Sequence, residues 1–202
     1  MFAFEKVELP VLGLRGLEAD LSEEEKAIQE NVHRFARDVM RPIGKKLDGM
    51  SPEEVIAEGS PLHDYMAQIH ASGILDLGAL DSMSNLEKSR IFPIIFEELG
   101  WGDSGLAIAT LASAIPAFTA HTTGDPEIIE RFGSLPGCWL ATQPDKGSEV
   151  VDMDATNAHA GGKQSKGNIG ARKEGNEYVI NGQSSAWVSY GPLAQTTMAY
   201  LP

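Results

Sequence analysis

Residues 139–149 read WLATQPDKGSE. The stretch begins as an apolar strand and ends polar, and Pro144, Asp145, Lys146 and Gly147 between favour a turn. It marks a change in the character of the chain. Before Leu135 apolar residues recur at helical spacing; beyond it the sequence breaks into short apolar runs separated by turn residues. Helices first and strands afterwards predict an α+β chain, with a helical domain over 1–135 and a β domain over 136–202. A simple reversal would need only Pro-Asp-Gly, so the flanking Thr142, Gln143, Ser148 and Glu149 ask for a reason.

Working back from this point, the helices announce themselves by their starts. Ser22 and Glu25 form a capping box before KAIQENVHRFARDVM, in which Ile28, Val32, Phe35, Ala36 and Val39 share one face. Pro42 is expected to stop that helix. A second helix is predicted from Pro61 to Ser72 with Gly73 as its stop. A third runs through SNLEKSRIFPIIFEELG, capped by Ser84 and Glu87 and closed by Gly100, with a kink or a broken first turn at Pro93. The Ala-rich run after Asp103 is a fourth, and EIIERF after Asp125-Pro126 a short fifth ended by Gly133.

Working forward, CWLATQ reads as a strand, and so does QTTMAYL. EYVI and QSSAWVS flank Asn181-Gly182, which predicts a hairpin. Residues 152–176 carry almost no large apolar side chain and read as a long loop. No internal repeat is present.

The formal net charge of -13 argues against nucleic acid and anionic membrane surfaces as main partners. One cysteine, Cys138, permits no internal disulfide, which suits a reducing, cytoplasmic compartment. The N-terminus does not read as a targeting segment. The longest uncharged run, 104–124, is centred on Ala, Ser and Thr and contains Pro116, so it reads as a buried helix rather than a membrane span.

Several familiar motifs fail on inspection. Gly162 and Gly167 have phosphate-loop spacing, but Asn168 and Ile169 stand where Lys and Ser or Thr are needed. DMDATN begins like a calcium loop but has Asn157 where the turn glycine belongs. His33, His63, His70, His121 and His159 show no metal-ligand spacing, so no metal site is expected. Cys138 beside Trp139 reads as a buried, inert thiol. GDSG at 102–105 lies in a helical context that does not suit a serine nucleophile, and no G-x-S-x-G elbow exists.

Two segments remain, WLATQPDKGSE at 139–149 and INGQSSAWVS at 180–189. On a strand, Trp187 and Ser189 share a face and present an aromatic surface beside a hydroxyl donor. Thr142 adds a second hydroxyl. A flat heteroaromatic ring with a hydrogen-bonding nitrogen would suit the group, but from the residues alone a β-sandwich with a buried tryptophan beside a partly exposed serine is the favoured reading.

At this point the chain resembles the acyl-CoA dehydrogenase family. Thr142, Gln143, Pro144, Asp145, Lys146, Gly147, Ser148 and Glu149 look like that family's T-E-P-x-x-G-S-D signature. Asn181, Gly182, Trp187, Val188 and Ser189 look like its N-G-x-K-x-W-I-T/S strand. EELGWGDSGL at 97–106 and TTGDPEIIERFGSLPG at 122–137 are similar to its helical parts. The resemblance implies an N-terminal helical domain followed by part of a middle β-barrel or sandwich domain. It also implies FAD as cofactor and an acyl-CoA thioester as substrate. Trp139, Ala141, Thr142, Gln143, Gly147 and Ser148 would line the flavin, with the Thr142 hydroxyl near the pyrimidine side of the ring and Ser148 approaching the acyl-CoA. Trp187 and Val188 would pack at the isoalloxazine and Ser189 would donate to its N5. Donors in these places stabilise negative charge on a ring that accepts a hydride.

The resemblance further implies α,β-dehydrogenation, an electron-transfer flavoprotein as acceptor, and a homo- or hetero-oligomer. The family's C-terminal four-helix bundle, which supplies its glutamate base, would lie beyond residue 202, so no catalytic residue is assigned here and the chain alone is expected to be inactive. Gln143 replaces the family's Glu and Glu149 its Asp, and the hairpin strand before Trp187 is one residue longer than usual in the family, implying a bulge. Lys163, Lys166, Arg172 and Lys173 concentrate charge in the 152–176 loop, where they could meet CoA or FAD phosphates or simply be solvated. Ala107, Ala109 and Ala112 would leave room for a bulky acyl group or allow close helix packing. The residues do not separate a dehydrogenase from an acyl-CoA oxidase or flavin monooxygenase of the same scaffold. A non-catalytic binding module is the reading from another class.

Overall fold

The computed structural model describes residues 21–75, 82–144, 169–185 and 188–199. Gly147, Ser148, Trp187 and the 152–168 part of the expected loop lie outside the described residues. The chain forms two compact units, Met1–Ala107 and Ile108–Pro202.

In the first unit, α1 (Glu23–Phe35) starts where the sequence places it. The Ser22 hydroxyl accepts from the Glu25 amide at 3.2 Å, and the Glu25 carboxylate accepts from the Ser22 amide at 2.7 Å. This reciprocal pair satisfies two amides that the first turn leaves without partners. On the expected apolar face Val32 and Ala36 are buried and Ile28, Phe35 and Val39 half-buried, but the polar Glu25 and Gln29 are buried as well. Glu25 is held there by Arg90, whose guanidinium grips both carboxylate oxygens.

Pro42 does not end this helix. The chain passes through a π-helical turn, Ala36–Met40, into α2 (Arg41–Leu47). Pro42 is the second residue of α2, directly after the π turn. A short helix α3 (Pro52–Ile56), with its own Ser51/Glu54 capping box, was not foreseen. The Pro61–Ser72 expectation appears as α4 (Pro61–Ala71), after which Gly73 adopts φ 71°.

Helix α5 (Asn85–Gly102) has the expected Ser84/Glu87 box, but it is continuous through Pro93 and does not stop at Gly100. It ends at Asp103, whose extended backbone breaks the helix and whose carboxylate accepts from the Leu106 amide at 2.8 Å to open the next one. Tyr65, Met40, Leu99 and Val32 are fully buried in this unit, as is Glu98.

Helix α6 (Ser104–Thr122) also runs through Pro116. Among the described residues it is the one helix long and apolar enough to cross a membrane, with a mean hydropathy of 1.2. Ala112, Ser113, Ala117 and Ala120 are buried along it, a pattern that a core helix shares. Asp125 caps α7 (Pro126–Phe132), accepting from the Glu127 and Ile128 amides, and the helix ends at Gly133 as expected.

Strand β1 (Gly137–Leu140) pairs in parallel with β4 (Thr196–Ala199), setting Trp139 opposite Met198. Gly137 is required at this crossing: a Cβ there would lie 2.5 Å from the Pro116 ring and 2.7 Å from the Thr196 carbonyl oxygen. β2 (Gly170–Glu174) pairs antiparallel with β3 (Glu177–Asn181).

This second pairing corrects two expectations. Residues 170–174 are strand rather than loop, and the described hairpin turns at Gly175-Asn176 instead of Asn181-Gly182. Gly175 has φ 63°. A positive φ at the first of two central residues matches the twist of the flanking strands. Asn181 is still extended and paired with Gly170, so it is not free to enter a turn.

Candidate functional site

The second unit brings the two motif-bearing segments together at one place. Beyond β1 the chain continues as Ala141, Thr142 and Gln143. The Thr142 hydroxyl lies 2.6 Å from the Ser185 hydroxyl. The Thr142 carbonyl accepts from the Ser185 amide at 3.1 Å and from the Ser184 hydroxyl at 3.5 Å. Thr142, Ser184 and Ser185 are all half-buried.

Gln143 is buried, with a relative exposure of 4%. Its side-chain oxygen accepts from the Ile169 amide at 3.1 Å, inside the protein. Ile169 leads directly into β2, so this carboxamide ties the end of β1 to the β2–β3 hairpin. A buried amide left without an acceptor is costly, which gives Gln143 a structural task whatever else it does.

Along β1 the side chains alternate. Cys138 is buried, as expected, and its sulfur sits 3.3 Å from the Thr197 hydroxyl. Trp139 points the other way and is 37% exposed. On the neighbouring strand, Met198 takes a hydroxyl contact from Thr119 at 3.1 Å. The sheet end therefore offers a partly open indole, then a cluster of hydroxyls on a fixed backbone.

Ser189 was expected on a strand. It lies instead in an exposed turn, with Val188 half-buried before it and Tyr190 in the left-handed region at φ 62°. The Val188 carbonyl accepts from the Gly191 amide at 3.0 Å, which closes the turn before the 3₁₀ segment Gly191–Leu193. Burial pushes the Tyr190 phenol above its ordinary value. Residues 182–185 follow β3 without joining a sheet, and the rest of the segment leading to Trp187, where a bulge was expected, lies outside the described residues.

Ser184, Ser185 and Ile169 are the partners that sequence reading missed. Ser184 and Ser185 lie inside the INGQSSAWVS segment, but their spacing from Thr142 carries no local signal. Nothing at Ile169 marks it in the sequence. Of the four loop cations, Arg172 pairs with Glu174 and Lys173 lies 5.8 Å over the Tyr178 ring, both within the hairpin. Ala107 and Ala112 are buried, which favours close packing over an open acyl space, while Ile108 and Leu111 are the exposed large residues of α6.

A cleft of about 510 Å³ opens between the first turns of α1 and α5, lined by residues including Glu24, Glu25, Leu86, Glu87 and Arg90. Its carboxylates Glu25 and Glu87 are engaged by Ser22, Arg90 and Ser84, and it contains none of the signature residues. Among the described residues no group of three His, Cys, Asp or Glu side chains could hold a metal ion.

Comparison with known proteins agrees with the sequence motifs. A Caenorhabditis briggsae protein named "Probable medium-chain specific acyl-CoA dehydrogenase 2, mitochondrial" is 27% identical over 184 residues, 88% of this chain and 40% of that protein. Cyclohex-1-ene-1-carbonyl-CoA dehydrogenase of Syntrophus aciditrophicus is 26% identical over 197 residues, 90% of this chain and 41% of the relative. The crystal structure of glutaryl-CoA dehydrogenase from Mycobacterium smegmatis superposes with a TM-score of 0.66 at 21% identity, over 92% of this chain and 44% of that one. No protein-family model matches the chain. The chain is thus similar in sequence to acyl-CoA dehydrogenases and shares their α+β fold over its helical part and a small sheet part. It spans about 40% of the length of the curated relatives it matches.

Proposed function

We propose that this chain forms part of an FAD and acyl-CoA site that serves α,β-dehydrogenation of an acyl-CoA thioester. The observation that carries the reading is the meeting of Thr142 with Ser184 and Ser185. The segments that resemble two motifs of one family are hydrogen-bonded in space through residues 42 and 43 positions apart in sequence.

The residues fit a flavin by their donor chemistry. Hydroxyls of Thr142, Ser184 and Ser185 sit half-buried on a backbone fixed by sheet pairing, next to a partly open indole at Trp139. FAD, when bound, supplies a hydride acceptor for the acyl chain. The chain's own part is to orient and to stabilise. The Thr142 hydroxyl donates toward developing negative charge, the Trp139 indole flanks an aromatic plane and excludes water, and Gln143 fixes the backbone through which Ala141 and Thr142 are aimed. Gly147, Ser148, Trp187, Val188 and Ser189 complete the proposed lining, with Ser148 toward the thioester. An electron-transfer flavoprotein as acceptor, an oligomeric assembly and a cytoplasmic setting belong to the same proposal.

The test is spectroscopic. The purified chain is titrated with FAD, and its visible absorption and fluorescence are followed alongside its intact mass. Saturable binding with a shifted flavin band, weakened at least tenfold by Thr142→Val, supports the reading. A chain that stays colourless and leaves free FAD unchanged overturns the flavin assignment and favours a non-catalytic module.

A further inference from the structure

The π-helical turn between α1 and α2 lies in the first unit. Its defining hydrogen bond runs from the Arg41 amide to the Ala36 carbonyl, five residues back rather than four. Such a turn takes up one extra residue, which rotates everything after it by about 100° relative to a regular α-helix.

The consequence falls on two side chains. His33 and Arg41 are eight positions apart. On an unbroken α-helix, eight steps of about 100° would leave them about 80° apart around the axis. The extra residue reduces the effective separation to seven steps, and residues i and i+7 share a face. Both side chains do meet one indole. The His33 ring is 4.2 Å from the Trp101 ring, and the Arg41 guanidinium carbon is 5.0 Å from it.

Each arm is also fixed by a second bond to α5. His33 Nδ1 lies 2.8 Å from the Glu98 carboxylate, and Arg41 donates to the Trp101 carbonyl at 3.0 Å. Between the two arms, Gly102 packs against the π turn so closely that a Cβ there would lie 2.8 Å from Ala36 Cβ.

We propose that the Ala36–Met40 π turn is a register-setting device, placing the imidazole of His33 and the guanidinium of Arg41 on the same indole, Trp101, and so clamping α1 and α2 to the end of α5. Without it, α1 could keep its contact with Glu98 only by turning Arg41 away from Trp101, or the reverse.

The first test needs no variant. Hydrogen-bond scalar couplings measured by NMR on the intact chain should connect the Arg41 amide nitrogen to the Ala36 carbonyl carbon. A coupling to the Arg37 carbonyl instead would mean an ordinary α-helix and would overturn the proposal. The second test deletes Arg37, an exposed residue of the π turn paired only to its neighbour Asp38 among the contacts described. Trp101 emission is isolated by difference from Trp101→Phe in each background. Arg41→Gln should shift that emission in the full-length chain and leave it unchanged in the deletion. An equal shift in both backgrounds would overturn the clamp. If the deletion variant does not fold, the NMR coupling alone decides.

Discussion

The hydroxyls of Thr142 and Ser185 stand 2.6 Å apart, joining the end of β1 to the segment that follows β3. This short bond is backed by a main-chain bond between the same two residues at 3.1 Å. The pairing holds two signature-bearing segments at a fixed spacing, which any planar ligand contacting both would require.

Removing either hydroxyl should therefore affect stability modestly and affect flavin binding more. Thr142→Val and Ser185→Ala should each cost about 1 kcal/mol, and the double variant less than the sum, because both remove the same bond. Urea unfolding of the four proteins measures the coupling. Strict additivity would show that the two hydroxyls do not depend on each other.

Gln143 makes a sharper case, because its side-chain oxygen is the acceptor for a buried amide. Gln143→Leu keeps the bulk but orphans the Ile169 N–H, and should cost about 1–3 kcal/mol. Gln143→Glu keeps an oxygen in place and restores the residue of the resembled signature, so it should accept from Ile169 and retain more stability than the leucine variant. Hydrogen exchange at the Ile169 amide reads the bond directly: fast in the leucine variant, protected in the glutamate one.

Helix starts were the most legible part of the fold, since a capping box is a local exchange of two hydrogen bonds that four residues can specify. Ser22/Glu25 and Ser84/Glu87 appear as read. Helix ends were less so. Pro42 and Gly100 are stop signals in isolation, yet the packing of Ala36 against Gly102 and of Gly44 against Asp103 carries the helices past them. The strands after β1 were partly misread because Asn181-Gly182 is a strong local turn signal that loses to a longer-range pairing with Gly170. Of the candidate site, Thr142 and Gln143 were legible by type; their partners Ser185 and Ile169 were not, since contacts across dozens of residues leave no mark in spacing.

The Glu25–Arg90 pair sets an acid dependence. The Arg90 guanidinium, then the Ser22 amide, hold the Glu25 carboxyl down from 4.5 to about 2. A carboxylate depressed in the folded state adds stability above its unfolded value and loses it as pH falls through the folded one. The contribution of Glu25 should therefore be intact above about pH 4.5 and fade toward pH 2. Arg90→Gln should flatten the stability profile in that window. Unfolding midpoints of the two proteins from pH 7 down to pH 2 test this, and parallel profiles would rule it out.

The contact of Gly44 with Asp103 leads to the last prediction. A Cβ at position 44 would lie 2.1 Å from an Asp103 carboxylate oxygen. Asp103 is not free to swing away without loss, because its other oxygen caps α6 at the Leu106 amide. Gly44→Ala, a change that favours a helix interior by propensity alone, should therefore destabilise the chain by about 1–3 kcal/mol through overpacking. Asp103→Ala removes the obstruction but also the cap, at about 1 kcal/mol. The two costs should not add. In the Asp103→Ala background only the Cβ of residue 103 stays close to the new methyl, at 3.2 Å, so Gly44→Ala should cost much less. Thermal unfolding of the single and double variants gives the answer, and an undiminished cost at position 44 without the carboxylate would place the obstruction elsewhere in the packing of α2.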